Sequence, residues 1–136
     1  MKKIVIIDDE IKLREAIVEL FSFIGYQIIE ANDGLDGFNQ VQLHRPDLII
    51  CDVMMPKLDG YGFLKQHLAS KQASIPVVLL TAKTEEVDEV IGKDLGAVDY
   101  IKKPFSFDEL LERIKIHFRN SQEAQLLTLG PIVMDV

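Results

Sequence analysis

Four short polar segments of this 136-residue chain carry side chains that could perform chemistry, and each follows an apolar run. They are Asp8-Asp9-Glu10, Asp52, Thr81 and Lys102-Lys103-Pro104. Carboxylates crowded at one site repel one another, and a hard divalent cation is the usual remedy in proteins. Two or three carboxylates with room for water suit Mg²⁺, which retains water and accepts phosphate oxygens. These residue types therefore indicate a magnesium and phosphate site, provided that the fold brings them together.

Each segment also has an ordinary structural explanation. The acids at 8–10 suit a helix N-terminus, where the helix dipole favours negative charge. Asp52 could open a loop, Thr81 could cap a helix, and Lys103 could be a solvated surface lysine. Their joint placement, rather than any single residue, favours a functional site.

The apolar pattern predicts five strands that alternate with five helices. The strands are short apolar runs at 4–7, 26–29, 48–51, 76–80 and 98–101, and such runs favour burial on both faces. The helices have apolar residues three or four apart, at 13–24, 35–43, 61–68, 87–95 and 110–118. Gly25 and Gly96 suit helix ends, and Ser106 with Glu109 forms a capping box. Strict alternation predicts right-handed crossovers and an α/β fold, a doubly wound parallel sheet with helices on both faces.

The polar segments all follow predicted strands at their carboxyl ends. In open parallel sheets, ligands bind beyond those ends, near the point where the strand order reverses. We therefore expect Asp8, Asp9, Asp52, Thr81 and Lys103 to converge at one edge of the sheet.

Composition limits the class of protein. Fifteen basic and 22 acidic residues give a net charge of −7, which argues against a non-specific nucleic-acid binder. The hydrophobic content of 48% is typical of a globular domain. No apolar run reaches the roughly 20 residues that span a bilayer. A single cysteine, Cys51, is expected to be a packed thiol in a reducing compartment. We therefore expect a cytoplasmic protein without a membrane partner.

The three histidines do not form a site in the sequence. His44, His67 and His117 are scattered over predicted helices without the spacing of metal ligands or of a catalytic triad. We expect them to lie at the surface.

Four motifs resemble those of the bacterial two-component response-regulator receiver domain. They are IVIIDDE at 4–10, PDLIICDVMMPKLDG at 46–60, IPVVLLTAK at 75–83 and GAVDYIKKPF at 96–105. The resemblance extends over residues 2–119. It implies a flavodoxin-like sheet of five parallel strands in the order 2-1-3-4-5, with five helices.

The resemblance also implies a role for each acid. Asp52 would accept a phosphoryl group from a sensor histidine kinase. Asp9, Asp52 and the backbone carbonyl of Met54 would bind Mg²⁺, and Asp8 would bind it through water. Such a receiver catalyses its own phosphorylation and dephosphorylation but is not otherwise an enzyme.

Further residues would read out the phosphoryl group. Thr81 and Lys103 would contact its oxygens, with the Lys103-Pro104 peptide in the cis form that proline permits. Tyr100 would turn inward as Thr81 moves. The change would reach the surface formed by the fourth helix, the fifth strand and the last helix.

The C-terminal segment departs from the alternating pattern. Residues 121–125 are polar and are predicted to be a linker. Residues 126–136 are apolar and resemble the opening strand of the winged-helix DNA-binding domain of OmpR/PhoB-type transcription regulators. We therefore predict a receiver domain at 1–120, and at 121–136 a linker with the first strand of a DNA-binding domain. The alternative for this segment is a disordered tail.

Homodimerisation is the remaining expectation from this resemblance. Asp99 and Arg113 fit one charge pair of the usual dimer, formed on phosphorylation. Glu89 stands where a basic partner of Glu109 is usual, and Asn120 replaces a common basic residue. The usual dimer is therefore weakened in this sequence.

Two other functions stay open from the sequence alone. A Mg²⁺-dependent phosphohydrolase of the haloacid-dehalogenase type also forms an aspartyl-phosphate, but usually on the first acid of an Asp-x-Asp pair after the first strand. A Mg²⁺-binding nucleic-acid enzyme would need a second acid near Asp52, and the sequence there is Asp-Val-Met. The receiver function fits the residues best.

Overall fold

A computed structural model of the chain describes residues 2–55, 57–81 and 96–134. These residues contain five strands: β1 (Lys3–Ile7), β2 (Gln27–Ala31), β3 (Leu48–Asp52), β4 (Val77–Thr81) and β5 (Asp99–Lys102). The strands form one parallel sheet in the order β2-β1-β3-β4-β5. The predicted sheet and its strand order are confirmed.

Four helices lie within the described residues: α1 (Ile11–Ile24), α2 (Gly34–His44), α3 (Gly60–Leu68) and α4 (Phe107–Met134). They correspond to the first, second, third and last predicted helices. The predicted helix at 87–95 lies outside the described residues, and so does Glu89. The helix α4 belongs to a separate unit that begins at Ser106.

The central strands β1, β3 and β4 are buried on both faces, which explains why they are nearly continuous apolar runs. Val5 and Ile49 are neighbours on one face, and Ile6 and Ile50 are neighbours on the other. All four side chains are fully buried. On the Val5 face, α2 and α3 contribute core side chains that include Val41, Phe63 and Leu64. The sheet is thus a rigid platform whose carboxyl ends are free to carry polar residues.

Helix ends follow from local chemistry. Gly25 ends α1 with a φ of 118°, a conformation that glycine adopts without strain, as predicted. The Asp33 carboxylate accepts from the Asp36 backbone N–H at 2.8 Å and caps α2. The Ser106 hydroxyl accepts from the Glu109 backbone N–H at 3.0 Å, which confirms the predicted start of α4. Asp59 caps α3 in the same way, through the Gly62 N–H.

The expected surface position of His67 is wrong. Its ring is fully buried, and it stacks on Phe63 with the ring centroids 5.8 Å apart. Its Nε2 lies 2.8 Å from the carbonyl oxygen of Ile75. His67 follows Phe63 by four residues, so both lie on the same face of α3, and that face is the one turned to the core. His44 and His117 are partly exposed.

The C-terminal segment also differs from expectation. The helix α4 continues to Met134, so residues 121–125 are helical and residues 126–134 do not form the predicted strand. An isolated strand leaves its backbone N–H and C=O groups without partners, whereas a helix pairs them internally. The assignment of this segment to a DNA-binding domain stays a prediction.

Candidate functional site

The carboxyl ends of four strands bring the predicted residues to one edge of the sheet. Asp8 directly follows β1, Asp52 and Thr81 end β3 and β4, and Lys103 directly follows β5. The register pairs Asp52 with Leu80 and Thr81 with Lys102 across neighbouring strands. We call this set, together with Asp9, the acidic edge.

Asp52 is held in a fixed position by the backbone around it. Only 5% of the residue is exposed. The next N–H, of Val53, donates to the Leu80 carbonyl at 2.8 Å, and the Val53 carbonyl accepts from the Gly60 N–H at 2.9 Å. A Cβ at Gly60 would lie 2.5 Å from the Asp52 carbonyl oxygen, so only glycine fits there. The start of α3 is therefore packed against the backbone that carries Asp52.

The carboxylates of Asp8, Asp9 and Asp52 form a cluster suited to a hard cation. One oxygen atom from each lies within 4.8 Å of the others. Asp8 is fully buried and Asp9 is exposed, so the cluster opens to solvent on the Asp9 side. Oxygen ligands with an open side are what Mg²⁺ requires. The donor set therefore fits the predicted Mg²⁺.

Lys103 reaches into the same cluster. Its Nζ lies 3.3 Å from Asp8 Oδ2 and 3.5 Å from Asp52 Oδ2. Glu10 Oε2 is 3.5 Å from the same nitrogen. The Lys103-Pro104 peptide is cis, as the resemblance implied. One ammonium group thus faces several carboxylates at close range.

The charges of the acidic edge are not balanced. Burial, followed by the charge of Asp8, raises the pKa of Asp52 to about 7, although Lys103 acts in the opposite direction. Burial acts to lower the pKa of Lys103, but the charges of Asp8 and Asp52 outweigh it and raise that pKa. Both shifts have the direction expected of a site with excess negative charge. Additional positive charge would stabilise the ionised form of Asp52.

Three other predicted residues surround Asp52. Met54 is 59% exposed, and a hydrogen bond from its backbone acts to lower the pKa of Asp52. Thr81 is fully buried at the end of β4, and its carbonyl accepts from the Lys103 N–H. Tyr100 is buried in the core, with its hydroxyl 3.4 Å from that of Tyr61. The predicted switch residue thus occupies an inward position.

Sequence reasoning missed Arg14, Gly60 and Tyr61. Arg14 Nη1 donates to the Asp8 carbonyl oxygen at 2.6 Å, and its Nε donates to Glu30 Oε1 at 2.9 Å. Asp59-Gly60 was visible in the sequence as a capping acid followed by glycine, which could have indicated a close backbone approach. Nothing in the sequence spacing indicates the Arg14 contact, because it spans the turn between β1 and α1.

Other features lie beside or away from the acidic edge. A surface cavity beside Lys103 is lined by Glu10, Leu13, Pro104 and Phe105. Asp99, which was expected to form a dimer charge pair, is buried, and its Oδ1 accepts from the Tyr100 N–H at 2.8 Å. Cys51 is a buried thiol within the core, as predicted.

Among the described residues, no helix combines the length and the apolar composition that crossing a membrane requires.

Comparisons with known proteins agree with this geometry. Residues 4–115 match the response regulator receiver domain family. The chain is 42% identical over 127 residues to a probable transcriptional regulator, ycf27, of Cyanophora paradoxa, covering 93% of this chain and 52% of that protein. It is 44% identical over 127 residues to the alkaline phosphatase synthesis transcriptional regulatory protein PhoP of Bacillus subtilis, covering 90% of this chain and 51% of PhoP.

Solved structures show the same fold. The receiver domain of the Francisella response regulator 1452 matches with a TM-score of 0.83 and 32% identity, covering 89% of this chain and 99% of that chain. The Vibrio cholerae chemotaxis protein CheY4 matches with a TM-score of 0.80 and 32% identity, covering 85% and 97%. The chain spans about half the length of the curated transcriptional regulators that it matches.

Proposed function

Because the chain belongs to the response regulator receiver domain family, we propose that Asp52 is its phosphoacceptor and that the acidic edge is its phosphorylation site. The donor would be a phosphohistidine on a sensor histidine kinase. The single observation that supports this proposal most strongly is the position of Asp52, buried within 3.5 Å of the Lys103 ammonium and in a cluster with Asp8 and Asp9.

The chemistry requires alignment and charge neutralisation rather than covalent help. A carboxylate oxygen of Asp52 forms a bond to phosphorus, the P–N bond to the donor imidazole breaks, and the bonding pair returns to that nitrogen. Asp52 must be ionised to attack, and its raised pKa in the metal-free protein makes a cation favourable there. The Lys103 ammonium lies where it offsets negative charge on the transferring oxygens.

We propose that Asp9, Asp52 and the Met54 backbone carbonyl hold Mg²⁺, with Asp8 binding through water. When bound, Mg²⁺ supplies positive charge that favours the ionised Asp52 and offsets charge on the phosphoryl oxygens. We propose that a kinase side chain approaches Lys103 through the cavity that Leu13 and Phe105 line.

Phosphorylation would then change the surface of the domain. A phosphoryl group adds close to two negative charges at Asp52 and provides acceptors for the Thr81 hydroxyl and for Lys103. The inward Tyr100 is the residue proposed to follow Thr81. The affected surface would include β5, α4 and the predicted helix at 87–95, and it would control a DNA-binding domain or a homodimer. We propose that this occurs in the cytoplasm.

The test is the intact mass of the chain after treatment with acetyl phosphate and Mg²⁺. The proposal predicts one added phosphoryl group per chain and none in Asp52→Asn. Asp47→Asn is the matched control, because Asp47 directly precedes β3 whereas Asp52 ends it. Equal labelling of the wild type and Asp52→Asn would contradict the proposal.

A second assay addresses the phosphohydrolase that the sequence alone left open. A receiver takes up phosphoryl groups in proportion to its own concentration. A phosphohydrolase releases phosphate from a generic ester through many turnovers. Sustained release from p-nitrophenyl phosphate that is lost in Asp52→Asn would support the phosphohydrolase instead.

A further inference from the structure

Arg14 contacts the acidic edge through a main-chain carbonyl. Its guanidinium donates to the main-chain carbonyl oxygen of Asp8, at 2.6 Å. The same guanidinium is anchored by Glu30 on β2, with an Nε–Oε1 distance of 2.9 Å. Only 13% of the Arg14 side chain is exposed. The arginine therefore ties the turn after β1 to the neighbouring strand.

The carbonyl that Arg14 holds belongs to the peptide between Asp8 and Asp9. The other groups of this turn are also bound: the Asp8 N–H donates to the Ala31 carbonyl at 3.1 Å, and Asp8 Oδ1 accepts from the Glu10 N–H at 2.9 Å. The orientation of this peptide sets the direction of the Asp9 Cα–Cβ bond, from which the exposed carboxylate extends. A side chain that fixes the peptide therefore narrows the positions that the Asp9 carboxylate can reach.

From this geometry we infer that Arg14 is a positioning residue, which presents the Asp9 carboxylate to the metal of the acidic edge through the Asp8–Asp9 peptide. This inference rests on the proposed function, since it concerns the Mg²⁺ of the same site. Groups that orient metal ligands in this indirect way typically change metal affinity about 10- to 100-fold when removed.

The direction of the change in Mg²⁺ affinity distinguishes a positioning role of Arg14 from an effect of its charge. Arg14 carries a positive charge near the cluster, and a positive charge repels Mg²⁺. Loss of that charge alone would therefore tighten Mg²⁺ binding, whereas loss of positioning would weaken it. Lys12→Met removes the same charge from an exposed position on α1 and is the matched control for this electrostatic effect.

The experiment is a titration of the metal alone, Mg²⁺ without phosphodonor, followed by backbone amide NMR shifts. Arg14→Met should raise the dissociation constant about tenfold. Arg14→Lys keeps the charge but lacks the planar guanidinium whose separate nitrogens donate to Asp8 and Glu30, so its dissociation constant should lie between those of the wild type and Arg14→Met. Lys12→Met should leave the constant unchanged or lower it. Glu30→Gln keeps an acceptor for the Arg14 Nε, and it should change the constant less than twofold.

A second measurement separates positioning from general damage. At saturating Mg²⁺, Arg14→Met should take up phosphoryl groups to the same extent as the wild type, since Asp52, Thr81 and Lys103 are unchanged. If Arg14→Met fails to fold, Arg14→Lys carries the test in the same titration. Wild-type affinity or tighter binding in the folded variant would overturn the inference. Failure of the wild type to bind Mg²⁺ or to be labelled would instead overturn the proposed function.

Discussion

The acidic edge and the surroundings of His67 both bury ionisable side chains, but they do so with opposite results. His67 stacks on Phe63 and shares a hydrogen bond with Ile75, and burial lowers its pKa, which favours the neutral ring. Its Nδ1 has no hydrogen-bond partner in the described part of the chain, a local cost that the packing outweighs. At the acidic edge, burial and the charge of Asp8 raise the pKa of Asp52 to about 7.

The His67 ring is thus a buried polar group that stabilises the fold, whereas the carboxylates of the acidic edge are buried polar groups suited to binding a ligand. The neutral ring at His67 fills space and stabilises the core. The carboxylates of the acidic edge repel one another and are stabilised only when positive charge is added. Substitutions in the two regions should therefore change stability in opposite directions.

The largest effect is expected at His67. His67→Ala removes a fully buried ring and its hydrogen bond, and the cavity should lower the free energy of unfolding by about 3 kcal/mol. Urea denaturation at pH 7.5 measures this. His44→Ala, at the partly exposed end of α2, should change the same quantity by less than about 0.5 kcal/mol. Similar small losses in both variants would show that His67 is not a core residue.

A smaller effect of opposite sign is expected at Asp52. In metal-free protein at pH 8, Asp52→Asn removes a carboxylate that the fold disfavours in its ionised form. The free energy of unfolding should rise by about 2 kcal/mol, which is less than the full pKa shift because Lys103 loses a partner. Glu112→Gln, an exposed acid on α4, should change it by only a few tenths of a kcal/mol. A loss of stability in Asp52→Asn would contradict the charge imbalance.

Magnesium should relieve the same repulsion in the unsubstituted chain. At a concentration ten times the dissociation constant, Mg²⁺ should raise the free energy of unfolding by about 1.4 kcal/mol through binding to the folded state alone. The gain should be much smaller in Asp52→Asn, which lacks one proposed ligand. Thermal unfolding with and without Mg²⁺, at constant ionic strength, measures both. Equal gains in the two proteins would place the metal elsewhere.

The smallest expected effect is on the pH dependence of the free energy of unfolding, to which His67 and Asp52 contribute with opposite signs. The His67 contribution is present above its unfolded pKa of about 6.5 and is lost as the pH falls below it, because only the unfolded ring binds a proton readily. The Asp52 contribution in metal-free protein is greatest below its unfolded pKa, about 3.9, and is lost as the pH rises through about 7. The contributions of His67 and Asp52 to the free energy of unfolding therefore change with pH in opposite directions.

In Asp52→Asn, the pH dependence that His67 gives to the free energy of unfolding should be seen without the opposing contribution of Asp52. The free energy of unfolding of this variant should fall by about 1 kcal/mol from pH 7.5 to 5.5, whereas that of the metal-free wild type should rise, because protonation of the folded Asp52 stabilises it over the same range. The added substitution His67→Gln should flatten the slope again. Denaturant midpoints at pH 5.5, 6.5 and 7.5 measure it. A steeper fall in the wild type than in Asp52→Asn would contradict the opposite signs.

The sequence predicts the sheet well because its pattern reflects burial directly. Runs such as Ile4–Ile7 are apolar at every position, since both faces of the central strands are covered, and the carboxyl ends then bring Asp52 and Lys103 together. The positions of these residues after predicted strands were sufficient to bring them together, because the carboxyl ends of parallel strands lie at the same edge of the sheet.

Other features depend on tertiary contacts that spacing does not reveal. A histidine on a helix is equally compatible with surface and core, and only the packing of α3 decides that His67 is inside. The Arg14 contact joins a helix to a carbonyl in the preceding turn. The apolar residues at 126–134 suit a strand locally, but without a neighbouring strand to pair with, they continue α4.

The proposed role of Asp52 as the acceptor at the acidic edge can be tested by locating the phosphoryl group on the chain. After treatment with acetyl phosphate and Mg²⁺, borohydride reduction converts an aspartyl-phosphate to homoserine, which peptide mass mapping identifies by position. If Asp52 is the acceptor, homoserine should be found at position 52, with Asp8 and Asp9 unmodified. Homoserine at either of those positions, or a reduction-resistant phosphate on a serine or threonine, would contradict it.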